Sequence, residues 1–304
     1  MDVKEIKGKK CRWIHLSDID ESTGTYLRDN FKFHALDIED VMSDSQRPKI
    51  DIYKYYLFLI AVFPYYDKEK FKVRGREVDI FLNRDTLITV AKNPNPFLDH
   101  IFERVNVSRK LKKLWVEKGV SFLLYKILEK LFRESHQAFD IVGRQIAEVE
   151  DDVYDNELKS VARDLALIRR STFTLRRLLD PQRFTINVLV NLDREFIPAE
   201  MANYFDNIHD YIEKTWVEVE SHRDMVDGLH RTNESLISQH TNRVITTLTV
   251  ISASLMPLTL LSGIYGMNIN VPFVDEPIKV FALFIGVALF TMLLVVMLIR
   301  SKKV

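Results

Sequence analysis

The chain has 304 residues, with 43 Lys and Arg set against 43 Asp and Glu. A formal charge of zero argues against a strongly basic nucleic-acid binder on bulk charge. The single cysteine, Cys11, allows neither an intrachain disulfide nor a cysteine-based zinc cluster.

Mean hydropathy is −0.08, an ordinary value for a water-soluble protein, yet the apolar residues crowd toward the C-terminus. The opening MDVKEIKGKKCRW holds no apolar segment of the kind a secretory leader carries. Up to about residue 92 the runs CRWIHL, DIYKYYLFLIAVFPYY, REVDIFLN and DTLITVAK are rich in β-branched and aromatic residues and predict strands. Asn83, Arg84 and Asp85 between the last two fit a hairpin turn, and HALDIEDVMS predicts a short helix.

From Gly119 the period changes. Val120, Leu124, Ile127, Leu131, Ser135, Ala138, Val142, Ile146, Val149 and Val153 step by threes and fours, which predicts one amphipathic helix of about 35 residues. Leu158, Val161, Leu165, Ile168, Thr172, Leu175 and Leu179 predict a second helix, with Pro181 expected to end it. A short joint makes the two an antiparallel pair. A third helix is expected from Pro198, with no further proline before Pro257 and Gly228 as the glycine in that interval. If continuous to Ile264 it spans about 100 Å, polar at first and apolar in its last third.

Val244 to Ile264 and Val280 to Ile299 carry no charge, and each is long enough to cross about 30 Å of hydrocarbon. The first holds Thr246, Thr247, Thr249, Ser252, Ser254, Thr259 and Ser262, whereas the second holds Thr291. Lipid has no use for hydroxyls, so the second span is expected to meet lipid and the first to meet protein or water. Arg231, Arg243, Arg300, Lys302 and Lys303 flank the spans. The positive-inside rule then places both termini in the cytoplasm and the loop outside, in an integral protein of the cell (inner) membrane. The fold class is α+β. Its expected parts are an α/β cytoplasmic domain over 1–118, a helical hairpin region over 119–197, a stalk helix over 198–243, a first span over 244–264, an extracytoplasmic loop over 265–279, a second span over 280–299 and a basic tail over 300–304.

Asn242, Ile245, Thr249, Ser252, Met256, Thr259 and Gly263 fall within one arc of roughly 100° on a helix. Several copies around a symmetry axis could make that arc a pore lining of hydroxyl rings between apolar constrictions. The same residue types also permit close helix packing, and periodicity alone leaves both open. Gly266 and Asn268 tolerate turn conformations and can end the helix. A ring of Asn268 carbonyls suits a cation that sheds its water reluctantly, as Mg²⁺ does. Tyr265 is placed to brace the turn, and Asp275 and Glu276 to raise the local cation concentration.

MPLTLLSGIYGMN, Met256 to Asn268, resembles the signature of the CorA family of divalent-cation channels, whose Gly-Met-Asn closes the first of two C-terminal spans. HALDIEDVMSDSQRPKIDIYKYYLFLIAVFP and VDIFLNRDTLITV are similar to the same family. The resemblance implies a funnel-shaped homopentamer and transport of Mg²⁺, with Co²⁺ or Ni²⁺ as further cargo and a zinc transporter of the same architecture as the alternative. It implies a selectivity mouth at Gly266, Met267 and Asn268. The lining would be Asn242, Ile245, Leu248, Thr249, Ser252, Met256 and Thr259, with Ile245 and Leu248 as the hydrophobic gate. After the motif, INVPFVDEP departs from the aromatic-acidic stretch of other members, and the chain ends in RSKKV without a longer tail.

The densest acidic run is EVEDDVYDNE, Glu148 to Glu157. Such a run on a helix is ordinarily a solvated face, while the resemblance implies regulatory divalent sites, for which Asp151, Asp152, Asp155, Asp206 and Asp210 are candidates. His222 and His230, eight apart, read as a solvated pair, and no H-E-x-x-H spacing occurs. No Gly-rich phosphate loop or Gly-x-Ser-x-Gly elbow is present, so an enzyme is not expected and neither is a prosthetic group. A membrane-anchored coiled-coil scaffold without a pore is the reading from another class.

Overall fold

The computed structural model describes residues 1–43, 46–92, 95–154, 158–267, 269, 271–273 and 276–301. They form two compact units, Met1–His230 and Arg231–Val304.

The first unit is built on a six-stranded sheet of β1 (Asp2–Lys7), β2 (Arg12–Ser17), β3 (Lys49–Ile52), β4 (Tyr56–Asp67), β5 (Lys72–Asn83) and β6 (Thr86–Ala91). The order across the sheet is β1-β2-β6-β5-β4-β3, and only the β2–β6 pair is parallel. Every residue of β4 from Tyr56 to Pro64 is buried, as is all of β6, which marks central strands covered on both faces. One face carries α1 (Glu21–Asn30) and α2 (Ala35–Met42), where Leu27, Ile38 and Val41 pack with Phe58, Ile60 and Phe81. Helix α3 (Pro96–Val107) sets Phe102 edge-on to Trp13 at 4.9 Å.

The sequence predicts one strand where the structure has two, β3 and β4. The chain turns at Tyr53–Tyr55, and the Tyr53 amide donates to the Tyr56 carbonyl at 2.9 Å. The hydroxyls of Tyr53 and Tyr56 donate to the two carboxylate oxygens of buried Asp37 at 2.9 and 2.7 Å. That inward pull on two aromatic residues holds the turn within a β-prone run. Strand β1 escapes the pattern because DVKEIK buries only Ile6. It is a charged edge strand, whose place comes from pairing with β2. The Asn83–Asp85 turn joins β5 to β6, with Asn83 Oδ1 accepting from the Asp85 and Thr86 amides at 3.1 and 2.8 Å.

After the short α4 (Arg109–Trp115) come α5 (Val120–Tyr154) and α6 (Leu158–Val190). The α5 stripe is buried as its period predicts, and Phe132 meets Phe63 of β4 edge-on at 5.0 Å. Pro181 does not end α6. The helix runs on to Val190 because its buried face continues through Gln182, Thr185, Ile186 and Leu189. That burial outweighs one missing amide donor, a loss of about 3 kcal/mol in an isolated helix. Gln182 also ties α6 to the sheet by donating to the Val62 carbonyl at 2.8 Å.

A 3-10 turn at Ala199–Met201 leads into α7, which is unbroken from Ala202 to Tyr265 through both Gly228 and Pro257. Helix α8 (Pro277–Ser301) completes the second unit. Each of these two helices holds a stretch long and apolar enough to cross a membrane.

Candidate functional site

In the second unit, α7 presents two different faces. Val250, Ala253, Ser254, Pro257, Leu258, Leu261 and Tyr265 are half-buried, at spacings of three and four. On α8 the half-buried residues are Val280, Phe284, Val287, Ala288 and Thr291. The single hydroxyl of the second span therefore sits on its half-buried side, where Thr291 Oγ1 donates to the Val287 carbonyl at 2.9 Å. Beyond Lys279, the rest of the described α8 surface is exposed and apolar, including Phe281, Leu289, Phe290 and Leu293.

Every residue of the expected lining, from Asn242, Ile245, Leu248 and Thr249 through Ser252, Met256, Thr259 and Gly263, is exposed. This face of α7 is left uncovered by the chain's own second span. Leu248 is 59% exposed and Met256 71%, in apolar side chains whose full burial is worth roughly 1.5–3 kcal/mol each. The hydroxyls of Thr249 and Thr259 donate to the carbonyls four residues earlier, Ile245 at 2.8 Å and Leu255 at 3.0 Å. With the proton so engaged, each hydroxyl oxygen retains its acceptor lone pairs.

The loop begins with the Gly266 amide donating to the Ser262 carbonyl at 2.9 Å and the Met267 amide to Ile264 at 3.2 Å. A Cβ on Gly266 would lie 3.2 Å from the Ser262 oxygen, a tight approach that glycine avoids. Tyr265 braces this end: its hydroxyl donates to the Pro272 carbonyl at 2.9 Å, and its ring meets Phe284 edge-on. Glu276 is paired with Lys279 at 2.5 Å, so its charge has a local partner. Asn268 and Asp275 lie outside the described residues.

Of the acidic candidates in the first unit, Asp151 and Asp152 occupy the last turn of α5, exposed and half-buried, and Asp155 lies outside the described residues. Asp206 and Asp210 stand one turn apart on α7. With His209, which the sequence reading did not include, they bring three ligand-type atoms within 4.8 Å of one another. The i, i+3, i+4 spacing was the available signal. His222 is not a solvated group: its ring lies against α5 where Gly143 has no side chain, and a Cβ there would sit 3.2 Å from Nε2. Burial lowers its pKa, with Glu218 opposing. Cys11 is buried, donates to the Val116 carbonyl at 3.0 Å, and has its thiol pushed up to about 12 by burial and then by Asp85, so it is no nucleophile.

The profile of the CorA-like Mg²⁺ transporter protein family matches residues 8–302. The chain belongs to this family. The cobalt/magnesium transport protein CorA of Thermotoga maritima is 27% identical over 255 residues, 84% of this chain and 71% of that one. The putative metal ion transporter YfjQ of Bacillus subtilis is 29% identical over 258 residues, 85% and 78% of the two chains. The complete CorA magnesium transporter structure from Methanocaldococcus jannaschii shares the fold, with a TM-score of 0.79 and 17% identity over 99% of this chain and 93% of that one. The chain is therefore a CorA-family divalent-cation transporter, an integral membrane protein and not an enzyme.

Proposed function

We propose that the chain is a Mg²⁺ channel that assembles as a homopentamer, with the uncovered face of α7 lining a central path. The observation that carries this reading is the division of labour in the second unit. From Val250 on, the Pro257 side of α7 is half-buried, with Tyr265 meeting Phe284 of α8, and the side bearing Ser252, Met256, Thr259 and Gly263 is exposed. Single helices cannot enclose a path, whereas identical faces repeated about an axis can. Ile245 and Leu248 would form the constriction that dewets when closed. Gly266, Met267 and Asn268 would form the outer mouth, where amide oxygens meet a cation's hydration water. Both termini would lie in the cytoplasm.

Asp206, Asp210 and His209 are offered as a regulatory divalent site, joined by Asp151, Asp152 and Asp155 as further acidic candidates. Bound ion would hold like charges together, and its loss would let them part. Co²⁺ and Ni²⁺ are further cargo under this reading. A zinc transporter is the second reading, supported by the similarity of about half the chain to the zinc transport protein ZntB of Pectobacterium carotovorum, 23% identical over 159 residues.

The test is metal uptake by reconstituted protein, with Mg²⁺, Co²⁺, Ni²⁺ and Zn²⁺ in turn and with and without a proton gradient. We expect Mg²⁺ flux driven by membrane potential alone, and a loss of at least about tenfold in Asn268→Ala with assembly intact. Flux of Zn²⁺ only, tied to the proton gradient, transfers the assignment to the second reading. No flux of any metal from correctly assembled protein leaves a pore-less scaffold.

A further inference from the structure

We propose that the first unit binds a free polyphosphate anion, a nucleoside triphosphate or inorganic triphosphate, in a basic cleft between the open half of β5 and α6. The cavity measures about 1170 Å³, larger than the roughly 300–1,000 Å³ usual for small-molecule sites. Its lining includes Arg47, Lys72, Arg74, Arg76, Arg170, Arg176 and Arg177, against Asp180 as the single carboxylate. Asp180 is itself drawn to Arg183 at 3.6 Å.

Two features of the fold put these charges together. β5 pairs with β4 from Lys72 onward, but with β6 only from Val78. Residues 72–77 therefore form a sheet edge, with backbone groups unpaired on that side among the described residues. The second wall is α6, which approaches closely because Gly75 has no side chain. A Cβ there would lie 2.5 Å from Val62 and 3.3 Å from Leu178. On α6, Arg170 and Arg177 stand two turns apart, with Thr174 between them on the same face.

Part of this charge is already used. Arg74 reaches Asp67 at 3.4 Å, Arg76 stacks on Tyr65, and Arg176 pairs with Glu220 at 2.9 Å beside Trp216. No acidic partner is recorded among the described residues for Arg47, Lys72, Arg170 or Arg177. Four unmatched cations around one cavity repel one another, and a multiply charged anion removes that cost. Guanidinium donors match phosphate oxygens in pairs, and a triphosphate offers several such pairs and several charges where a lone carboxylate offers one. The site is independent of the ion path proposed above, since none of its residues belongs to α7 or α8.

The test is calorimetric titration of the full-length protein in neutral detergent, at low salt and with chelator present so that no divalent ion bridges ligand and protein. Inorganic triphosphate, ATP and a short-chain phosphoinositide are the three probes. The comparison is between wild type, Arg170→Ala with Arg177→Ala, and a control of equal charge loss on α4, Arg109→Ala with Lys110→Ala. We expect saturable binding of triphosphate or ATP, weakened by at least about tenfold in the α6 variant and unchanged in the control. Absence of binding by either soluble probe, equal weakening in both variants, or binding of the phosphoinositide alone would each overturn the assignment.

Discussion

The two units treat the same kinds of side chain in opposite ways. Phe81 in the sheet is fully buried, and Phe281 near the start of α8 is 72% exposed. In the first unit the polar backbone of the sheet is paired strand to strand and the apolar side chains close on one another. In the second, single helices satisfy their own backbone and turn their apolar side chains outward, which is stable only in a medium that welcomes them. The contrast also operates within α7. Its first part buries Phe205, Ile208, Ile212 and Val219, and its last part exposes Ile245, Leu248 and Leu255. One continuous helix thus carries two solvents' worth of patterning, and its overall periodicity describes neither well.

Paired substitutions can break or sharpen this comparison. The largest expected effect is Phe81→Ala, which should destabilise the chain by about 3–5 kcal/mol through an unfilled cavity. Phe281→Ala should change it by less than about 0.5 kcal/mol. Denaturant unfolding of both variants in the same detergent checks the difference, and similar losses would mean that α8 is packed rather than lipid-facing. The next effect separates faces within the second unit. Leu289→Asp places a charge on the exposed side of α8 and should cost about 2.5–3.5 kcal/mol of insertion, read as a fall in membrane-integrated protein. Leu248→Asp lies on the uncovered face of α7 and should integrate nearly as well as wild type. Equal defects would contradict a water-accessible face there.

The smallest effect concerns charge buried in the sheet. Asp79 is fully buried beside Glu77, with Lys92 Nζ 2.5 Å from Glu77 and 3.6 Å from Asp79. Burial raises the pKa of Asp79 well above 3.8, Lys92 opposes, and Glu77 raises it further. Above 3.8 and up to its folded pKa, the folded chain holds a proton that the unfolded chain has released. Stability therefore falls as pH rises through that window, by at most about 1.4 kcal/mol per pH unit. Asp79→Asn should flatten this slope, as measured by unfolding at a series of pH values. An unchanged slope would show that Asp79 is ionised in the folded chain.

What could be read beforehand follows from where the deciding interactions lie. The α5 stripe, the Asn83 turn and the two spans are set by neighbours within a few residues or by simple hydropathy, so the sequence displays them. β1 is held by its neighbour β2, with Lys7 opposite Arg12, but its charged pattern does not show it, and α1 depends on partners far along the chain, on a sheet face built from β2, β4 and β5. The end of α6 is hidden from the sequence because Pro181 acts locally and the burial that overrides it acts at long range. For the candidate site, the lettered signal was the 3.6-residue recurrence from Asn242 to Gly263. The sequence could not tell which side of the first span α8 would cover. The basic cleft was invisible in a chain of zero net charge, since its cations come from separate segments that only the fold gathers.

The engaged protons of Thr249 and Thr259 have one more consequence. A wall whose hydroxyl hydrogens are turned back into the helix has oxygen to offer a passing ion's water but no hydrogen to offer an anion. Within the proposed path, chloride would find no donor at these two threonine rings. Preference for positive charge would then begin in neutral side chains, and it would be insensitive to pH and little weakened by added salt.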